Sequence, residues 1–466
     1  MTITALAEAM EHGETTSYDL VTRYFERMDA CARLRAVIER NPDAPELARA
    51  RDRARGDGAV LGGVPILVKD NIDTGDRMHT TAGSVALAGN RAPRDAPLVA
   101  RLREAGAVIL GKTNMSEFAN YMTGGRAPNG YSSRGGATLN PFDETADPSG
   151  SSTGSAVAVA TGQCAAAIGT ETCGSIISPS QHAGIVGLKP TGGLVPGAGI
   201  IPISPTLDTA GPMAACVADV AVVLGALTGR TYDLGRPEAD LAGLRVGLVR
   251  AASRADDAAP GRQAQGSGTA TEPSRAAWVE AAQRLVETAR DSGVTWVDVA
   301  LPAFDVEAIL LPIMRCEFKT ALNAYLAAMH NPAIPQTLAD VIAYNQAHAD
   351  VALRYGQSEL IAAEAASGTM TEPEYGAALA ARQALVAALD AAFTRADVDV
   401  VLLLDADTDL AAVTGFPSLT LPLGRGRDGL PLGSGFIARR HREDALLRVA
   451  AALEARLGLW RVSGHT

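Results

Sequence analysis

Aromatic residues and long apolar runs are both scarce in this sequence. Phe, Trp and Tyr make up 4% of its 466 residues while 47% of the chain is hydrophobic, so Ala, Val and Leu must fill most of the core. No uninterrupted apolar stretch reaches the roughly 18 residues that a membrane-spanning helix needs. The N-terminus lacks the basic start and apolar run of a secretory signal. We therefore predict a globular protein with a sizeable core and no membrane partner.

Basic clusters and paired cysteines are missing too. The formal charge of −11 argues against a nucleic-acid partner. Five cysteines are scattered along the chain without a C-x-x-C pair, at Cys31, Cys164, Cys173, Cys216 and Cys316. Such an odd, scattered set predicts reduced thiols in a cytoplasmic protein rather than disulfides or a zinc site. We therefore expect no bound metal.

From about residue 60 the sequence alternates short apolar runs with amphipathic segments. We predict strands at 64–70, 107–111, 244–250 and 398–404, helices at 96–106 and 276–293, and a small-residue helix followed by a strand at 154–169. Glycines stand between many of these segments, where turns are needed. This alternation predicts an α/β sandwich with a mainly parallel or mixed sheet.

Two other segments have a distinct local pattern. The spacing Thr16-x-x-Asp19 before LVTRYFERM predicts the start of a helix. The segment 251–275 is poor in bulky apolar residues and rich in Gly, Ser, Ala and Pro. We predict an exposed, mobile loop there, with a hinge between domains as the alternative.

The segment GAVILGKT (106–113) matches the phosphate-loop pattern G-x-x-x-x-G-K-[ST]. A phosphate loop follows its strand and surrounds a phosphate with free backbone N–H groups. Here the variable positions are Ala, Val, Ile and Leu, which belong inside a strand, so we expect their N–H groups to bond within the sheet. The sequence therefore favours a structural role for Lys112 over nucleotide binding.

The segment GSSTG (150–154) matches the nucleophile elbow G-x-S-x-G, which would make Ser152 the nucleophile. That elbow needs a preceding strand and later Asp and His partners, but a loop rich in Pro and Asp precedes it. The later histidines have no distinguishing context, and His348 is interpreted as a surface or capping residue on a helix. We therefore interpret Ser152 and Ser155 as local hydrogen-bonding or helix-capping residues.

The segment GTETCGSIISPS (169–180) contains a second Gly/Ser turn. Consecutive backbone N–H groups around Ser175 can converge on one point, which is how an oxyanion hole is built. Ser175 then needs a base, and Lys69 qualifies if burial lowers its pKa from about 10.4. The alternative is that Lys69 forms a surface ion pair with Asp70 and Asp73. Local spacing leaves both interpretations open.

A resemblance favours the catalytic interpretation. The amidase signature family carries a glycine-serine loop and then a motif of the type GTDTGGSIRIPA, and this chain has PSGSSTGSAVAVA and GTETCGSIISPS. The similarity continues through GVPILVKDNID, GAVILGKTNMSEF, GIVGLKPTGGLVP and DTAGPM, and more weakly through GFPSLTLPLG. It is closest to the peptide amidase branch. It implies a single α/β/α sandwich domain with a large central mixed β-sheet at 59–466, after an N-terminal helical segment at 1–58.

The resemblance implies a catalytic triad. Ser175 matches the nucleophile, Ser151 matches a bridging serine that the family holds on a cis peptide bond, and Lys69 matches the base. The interval of 24 residues from Ser151 to Ser175 is that of the family. Lys69 can serve only if no carboxylate holds its proton, and strand alternation predicts that Asp70 points away from it.

The resemblance also implies an oxyanion hole and one substrate contact. The backbone N–H groups of Thr172, Cys173, Gly174 and Ser175 match the oxyanion hole. Ala119 matches a position whose carbonyl group faces the substrate. Cys173 stands where the family has glycine, so we expect its φ angle to be negative.

The implied function is that of an amidohydrolase that cleaves a carboxylic amide through an acyl-enzyme, without a cofactor. Its substrate would be a small-molecule or peptide amide, and the protein would be a monomer or homodimer. The alternatives are an ammonia-releasing glutaminase similar to the A-subunit of an amidotransferase, and a non-catalytic scaffold with the amidase fold.

Overall fold

A computed structural model describes residues 2–54, 56, 58–235, 244–249, 273–290, 293–404 and 408–458. Its α-helices are α1 (Ile3–Glu11), α2 (Ser17–Ala30), α3 (Ala44–Arg53), α4 (Pro97–Glu104), α5 (Thr153–Ala160), α6 (Ile177–Ala183), α7 (Val217–Thr228), α8 (Arg275–Thr288), α9 (Val306–Met329), α10 (Leu338–Ala347), α11 (Ala349–Ala352), α12 (Ser358–Glu364), α13 (Pro373–Ala396), α14 (Asp409–Thr414) and α15 (Glu443–Leu457). Its strands are β1 (Val37–Arg40), β2 (Pro65–Lys69), β3 (Val108–Thr113), β4 (Tyr131–Ser132), β5 (Gly136–Ala137), β6 (Ala166–Glu171), β7 (Val186–Lys189), β8 (Thr209–Ala214), β9 (Arg245–Val249), β10 (Thr295–Asp298), β11 (Val400–Leu403), β12 (Ser418–Arg425) and β13 (Pro431–Ala438). Short 3-10 helices lie at Ala32–Leu34, Val85–Leu87 and Glu117–Asn120.

Within the described residues, eleven strands form one sheet in the order β1-β3-β2-β6-β8-β7-β12-β13-β11-β9-β10. The inner strand β2 is parallel to both β3 and β6, whereas β8 is antiparallel to β6 and β7. The strands β12 and β13 continue the antiparallel part, and β11, β9 and β10 are again parallel. The prediction of an α/β sandwich with a large mixed sheet is confirmed.

Helices cover both faces of this sheet. The core on one face includes side chains of α1, α4, α7 and α15 together with Ile66 and Val68 of β2. The core on the other face includes side chains of α2, α3, α5 and α6 together with Leu67. Successive strand side chains point to opposite faces, so Lys69 lies on the face of Leu67 and Asp70 on the other. The strand therefore directs Lys69 toward α5 and α6.

The parallel pairing of β2 with β6 brings two loops to one edge of the sheet. Val68 pairs with Ile168, so the two strands end side by side. In α/β sheets, the crevice beyond the carboxyl ends of the strands is where ligands usually bind. Here that edge carries Lys69 at the end of β2 and the turn 172–175 after β6.

The first 58 residues contribute a strand as well as helices. Strand β1 pairs antiparallel with β3 at the edge of the main sheet. This strand was not predicted from the sequence, because VIER is short and all four of its residues are only half-buried. The domain boundary between residues 58 and 59 stays a prediction.

Most of the predicted elements are confirmed, with small differences at their ends. The helix at Thr16 begins with a capping box, in which the Thr16 side chain and Asp19 bond each other's backbone N–H groups. Of the predicted loop 251–275, residues 251–272 lie outside the described residues. Ser274 caps α8, which begins at Arg275, so the predicted loop extended one residue too far.

Among the described helices, α13 is the one whose length and composition would suffice to cross a membrane. Its side chains Leu385, Leu389 and Phe393 are buried in a core cluster that also includes residues of α9 and β11.

A fold prediction concerns Gly154, in the first turn of α5 directly after the serine loop. A Cβ at this position would overlap the backbone of Ala36 and would lie 2.6 Å from the Asn114 nitrogen. We expect Gly154→Ala to destabilise the protein by about 1–3 kcal/mol, because the overlapping atoms belong to packed backbone.

The matched control is Gly376 in α13, where a Cβ would meet no atom within 4 Å. Gly376→Ala should raise stability by about 0.5–1 kcal/mol, since alanine has the higher helix propensity. Midpoints of thermal unfolding, followed by circular dichroism, compare the two variants. Equal midpoints would contradict the close packing of α5.

Candidate active site

Lys69 lies at the carboxyl end of β2 and is completely buried. Its Nζ donates hydrogen bonds to Ser151 Oγ at 2.8 Å, Ser152 Oγ at 2.9 Å and the Thr170 carbonyl oxygen at 3.1 Å. The structure therefore brings the predicted base and the predicted bridging serine into direct contact. The surface ion-pair interpretation of Lys69 is wrong, because the side chain is inside the protein.

The surroundings of Lys69 favour its neutral form. Burial lowers the pKa of Lys69 from 10.5 to about 7, against the opposing effect of the carboxyl groups of Glu171 and Asp208. Asp70 does not contribute, since its carboxylate accepts hydrogen bonds from Thr81 Oγ1 and, at 3.0 Å, from the Gly83 N–H. The prediction that Asp70 points away from Lys69 is confirmed.

The serine loop before α5 is held from two sides. The peptide bond between Gly150 and Ser151 is cis. The Ser151 carbonyl oxygen accepts the Ser116 N–H at 3.2 Å, and a Cβ on Gly150 would lie 2.5 Å from Ser116 Oγ. On the other side, Ser149 Oγ lies 2.7 Å from Ser178 Oγ in α6. These contacts fix Ser151 above the end of β2.

Ser152 differs from its predicted role. It occupies the N-cap position of α5, but its side chain makes no capping bond there. Instead, Ser152 Oγ accepts the Lys69 bond and donates to the Thr170 carbonyl oxygen at 3.0 Å. The capping interpretation of Ser152 is therefore wrong. Ser155 is also buried, with its Oγ 2.7 Å from Thr113 Oγ1.

Ser175 lies in the turn between β6 and α6 and is 7% exposed. Its carbonyl oxygen accepts the Ser152 N–H at 3.1 Å, which joins this turn to the serine loop. Gly174 has a φ angle of +76°, and a Cβ there would lie 2.6 Å from Thr408 Oγ1. Cys173 is not among the residues with positive φ, as predicted.

Glu171 organises the same turn from the end of β6. Its Oε2 accepts the N–H groups of Ile176 at 2.7 Å and Ile177 at 3.0 Å. Burial raises the pKa of this carboxyl group, while the charge of Lys189 and the N–H groups of Ile176, Ile177 and Gly174 oppose that effect. The carboxylate thereby holds the first turn of α6 against the sheet.

The Asp208 carboxylate holds the turn 172–175 through its hydrogen bond to Thr172. Its Oδ1 accepts the Thr172 hydroxyl at 2.6 Å, and its Oδ2 accepts the Ile203 and Ser204 N–H groups at 2.8 and 2.9 Å. Burial raises the pKa of Asp208 to about 6, although these hydrogen bonds favour the charged form. No role was predicted for Asp208 from the sequence, although the motif DTAGPM contains it.

Ala119 lies in a stretch of unusual backbone next to the serine loop. Phe118, Ala119 and Asn120 have φ angles of +45°, +54° and +71°. The stretch is anchored by the bond from the Ser116 N–H to the Ser151 carbonyl oxygen. The structure thus brings the segment around Ala119 beside the serine loop.

The competing motifs have structural explanations. Residues 108–113 of the phosphate-loop pattern form β3, and Lys112 Nζ donates to the Ile72 carbonyl oxygen and, at 2.9 Å, to Thr80 Oγ1. His348 ends α10, with its Nδ1 2.9 Å from the Tyr344 carbonyl oxygen. The structural role of Lys112 and the capping position of His348 agree with the predictions.

Side chains that could ligate a metal are dispersed. In the part of the chain that the structure describes, no three His, Cys, Asp or Glu side chains are grouped so as to hold a metal ion. Among the described residues, none of the five cysteines forms a disulfide bond.

Comparisons with known proteins identify the family of this chain. The sequence profile of the amidases matches residues 19–447. The chain belongs to the amidase signature family. A probable amidase of Arabidopsis thaliana is 35% identical over 487 residues, covering 97% of this chain and 89% of that protein. The A-subunit of the glutamyl-tRNA(Gln) amidotransferase of Deinococcus deserti is 32% identical, covering 97% of this chain and 96% of that protein.

The solved structures give the same result for this amidase. The X-ray structure of the native peptide amidase from Stenotrophomonas maltophilia superposes with a TM-score of 0.86. It is 38% identical and covers 100% of this chain and 99% of its own. The chain is therefore a hydrolase of carbon–nitrogen amide bonds with the fold of the family.

The turn at Gly174 generates a prediction about geometry. Gly174→Ala adds a methyl group against Thr408 and should displace the turn 172–175, lowering amide hydrolysis roughly 100-fold. Gly229 is the matched control, because its φ angle is +68° but no atom lies within 4 Å of its Cβ position. Gly229→Ala should cost about 1–2 kcal/mol of stability and leave activity intact. Equal activity of the two variants would contradict the crowding at Gly174.

Proposed function

We propose that this amidase hydrolyses its substrate through an acyl-enzyme on Ser175, with Ser151 as proton relay and Lys69 as base. The observation that supports this best is the environment of Lys69. A completely buried amine that bonds a serine hydroxyl at 2.8 Å can accept a proton at neutral pH, because burial lowers its pKa to about 7.

The reaction begins when neutral Lys69 accepts the Ser151 hydroxyl proton and Ser151 takes the proton of Ser175. Ser175 Oγ then attacks the amide carbon and forms a tetrahedral oxyanion. The amine leaves with a proton that Lys69 returns through Ser151. In this step the C–N bond of the amide breaks, and the acyl group remains bound to Ser175 through a C–O bond. Water then attacks the acyl group and gives up a proton through Ser151 to Lys69. The C–O bond to Ser175 breaks, Ser175 regains a proton by the same route, and the carboxylic acid leaves.

The oxyanion would be bound by backbone N–H groups of the turn at Thr172, Cys173, Gly174 and Ser175. The Gly174 N–H also acts on the buried Glu171 carboxyl group, whose charged form it favours. Fixed dipoles of this kind stabilise developing negative charge without reorganisation. The mechanism uses only side chains and backbone donors, and it requires no cofactor.

For the substrate, we infer a peptide or small-molecule amide, in keeping with the similarity to the peptide amidase. The alternative is a glutaminase resembling the A-subunit of an amidotransferase, since a protein of that kind is 32% identical. Ammonia release from free glutamine, compared with release from peptide amides, discriminates the two. The direct contact of Lys69 with Ser151 argues against a non-catalytic scaffold, because proton transfer requires this contact.

We further propose a cytoplasmic monomer or homodimer without a nucleic-acid or membrane partner.

The nucleophile is tested by comparing two neighbouring serines. Ser175→Ala should abolish hydrolysis, by roughly 10⁴-fold or more, because no acyl-enzyme can form. Ser152→Ala removes one of the three hydrogen-bond partners of Lys69 and should lower the rate roughly tenfold. Ammonia release from a peptide amide measures both, with circular dichroism as the control for folding. An inactive Ser152→Ala beside an active Ser175→Ala would restore the nucleophile-elbow hypothesis.

The base is tested by the pH dependence of kcat/KM. Only neutral Lys69 accepts a proton, so kcat/KM should rise with pH through a midpoint near the pKa of about 7. Lys69→Arg should be inactive, because a guanidinium group stays charged. An active Lys69→Arg enzyme with an unchanged profile would contradict the proposed role.

Asp208→Asn extends this test. The Asp208 carboxylate stabilises the Lys69 ammonium and so raises its pKa, while burial lowers it. Removing the charge should therefore shift the acidic limb of the kcat/KM profile to lower pH. A shift to higher pH would mean that Asp208 does not act on Lys69 through its charge.

A further inference from the structure

Helix α9 contains a buried carboxylate that faces the loop 203–208, which precedes β8. Glu317 is 3% exposed and lies one helical turn after Ile313, a residue of the core cluster that α9 shares with α13. A buried carboxylate is stable only where hydrogen bonds replace its lost hydration. Four donors do so here, and three of them belong to the loop.

The loop donors belong to Ser204 and Thr206. Glu317 Oε2 accepts the Ser204 hydroxyl at 2.5 Å and the Thr206 N–H at 3.1 Å. Its Oε1 accepts the Thr206 hydroxyl at 2.5 Å and, from α13, the Tyr375 hydroxyl at 2.8 Å. Hydrogen bonds to a charged acceptor are stronger than those between neutral groups, so this carboxylate fixes the loop to α9.

The same loop is bound on its other side to Asp208. Asp208 Oδ2 accepts the Ile203 and Ser204 N–H groups, and its Oδ1 accepts the Thr172 hydroxyl at 2.6 Å. Burial raises the pKa of Asp208, and the nearby charge of Glu317 adds to this effect. Ser204 bonds both carboxylates, through its hydroxyl to Glu317 and through its N–H to Asp208. A continuous set of hydrogen bonds therefore leads from α9 to Thr172.

The turn 172–175 is held at both of its ends. Where α6 begins, Glu171 accepts two backbone N–H groups. At the start of the turn, the Thr172 hydroxyl bonds Asp208. Donors of an oxyanion hole must be placed accurately, and a displacement of about 1 Å can lower a rate about 100-fold. Movement of the loop 203–208 would displace Asp208 and, with it, Thr172.

We propose that Glu317 is a positioning residue for amide hydrolysis. Glu317 fixes the loop 203–208, the loop fixes Asp208, and Asp208 holds the Thr172 end of the turn. Glu317 thus acts through these bonds and not on the substrate. The inference rests on the proposed function, because that function assigns the binding of the oxyanion to this turn.

Replacement of Glu317 tests the proposal directly. Glu317→Leu has a similar size but no acceptor, so kcat for ammonia release from a peptide amide should fall roughly 100-fold. KM should change by less than about threefold, because the oxyanion exists only in the transition state. Glu317→Gln keeps one acceptor oxygen, and hydroxyl groups can accept from its amide, so it should retain most of kcat. A rise in KM without a loss of kcat would overturn the proposal.

Two variants that keep Glu317 form a matched pair, which also serves if Glu317→Leu does not fold. Ser204→Ala and Tyr375→Phe each remove one hydroxyl group that bonds this carboxylate. Ser204→Ala loosens the loop and should lower kcat roughly tenfold. Tyr375→Phe removes the donor from α13 and leaves the loop bonds, so kcat should stay within about twofold. Equal losses of kcat in both variants would contradict the role of the loop.

A double-mutant cycle tests the route through Thr172. Thr172→Val removes the hydroxyl that bonds Asp208. If Glu317 acts through that bond, Glu317→Leu should lower kcat by less than about threefold in the Thr172→Val enzyme, against roughly 100-fold in the wild type. Effects that multiply would mean that Glu317 acts by another route, and the proposal would be wrong.

Inhibition by N-acetylleucinal, a peptide aldehyde, separates this proposal from the proposed function. Ser175 Oγ forms a C–O bond with the aldehyde carbon, the C=O double bond opens onto the oxygen that the turn binds, and the serine proton passes through Ser151 to Lys69. The inhibition constant should rise in Glu317→Leu by about the factor by which kcat/KM falls.

The aldehyde distinguishes two kinds of failure. Unchanged inhibition of Glu317→Leu beside a lower kcat would overturn the positioning role, while the acyl-enzyme mechanism stands. A wild-type enzyme that hydrolyses the amide but is not inhibited by the aldehyde would count against the acyl-enzyme on Ser175. The cycle with Thr172→Val would then still decide whether Glu317 acts through the bond between Thr172 and Asp208.

Discussion

The burial of Lys69 is the constraint on which the rest of the site depends. At the surface its ammonium form would persist at neutral pH, whereas desolvation lowers its pKa from 10.5 to about 7. This shift corresponds to about 5 kcal/mol in favour of the neutral amine. The amine stays inside because three oxygens, of two serine hydroxyls and one backbone carbonyl, lie within hydrogen-bond distance of Nζ, and a neutral amine can bond all three by donating twice and accepting once. The same bonds hold the serine loop, so the group that needs burial also organises its neighbours.

The sheet supplies this arrangement by simple geometry. Alternation along β2 sends Lys69 to the face covered by α5 and α6, and parallel pairing with β6 ends both strands at one edge. Close packing then brings the two loops together, since Gly154 and Gly174 both occupy places where a side chain would collide. A Cβ at Gly154 would meet backbone atoms of Ala36 and Asn114, and one at Gly174 would meet the Thr408 side chain, so both positions need glycine.

The sequence predicted what depends on local periodicity. Strands β2 and β3, the direction of Asp70 and the structural role of Lys112 all follow from alternation and apolar runs. Family resemblance was needed to choose Ser175 and Ser151, because spacing alone left Lys69 ambiguous. The roles of Ser152 and Asp208 were missed. Each depends on contacts between segments distant in the chain, such as the bond between Thr172 and Asp208, which no local pattern reveals.

The acids around Lys69 have two functions that work together. Glu171 holds the start of α6 and Asp208 holds Thr172, and both carboxyl groups also raise the pKa of Lys69 against burial. Without them, burial alone would lower the pKa further and leave a weaker base. Burial lowers the pKa of Lys69 and raises that of Asp208, and the charge of Asp208 opposes the shift of Lys69. Asp208 therefore connects the two halves of the site, because its hydrogen bond fixes Thr172 in the turn while its charge limits how far the pKa of Lys69 falls.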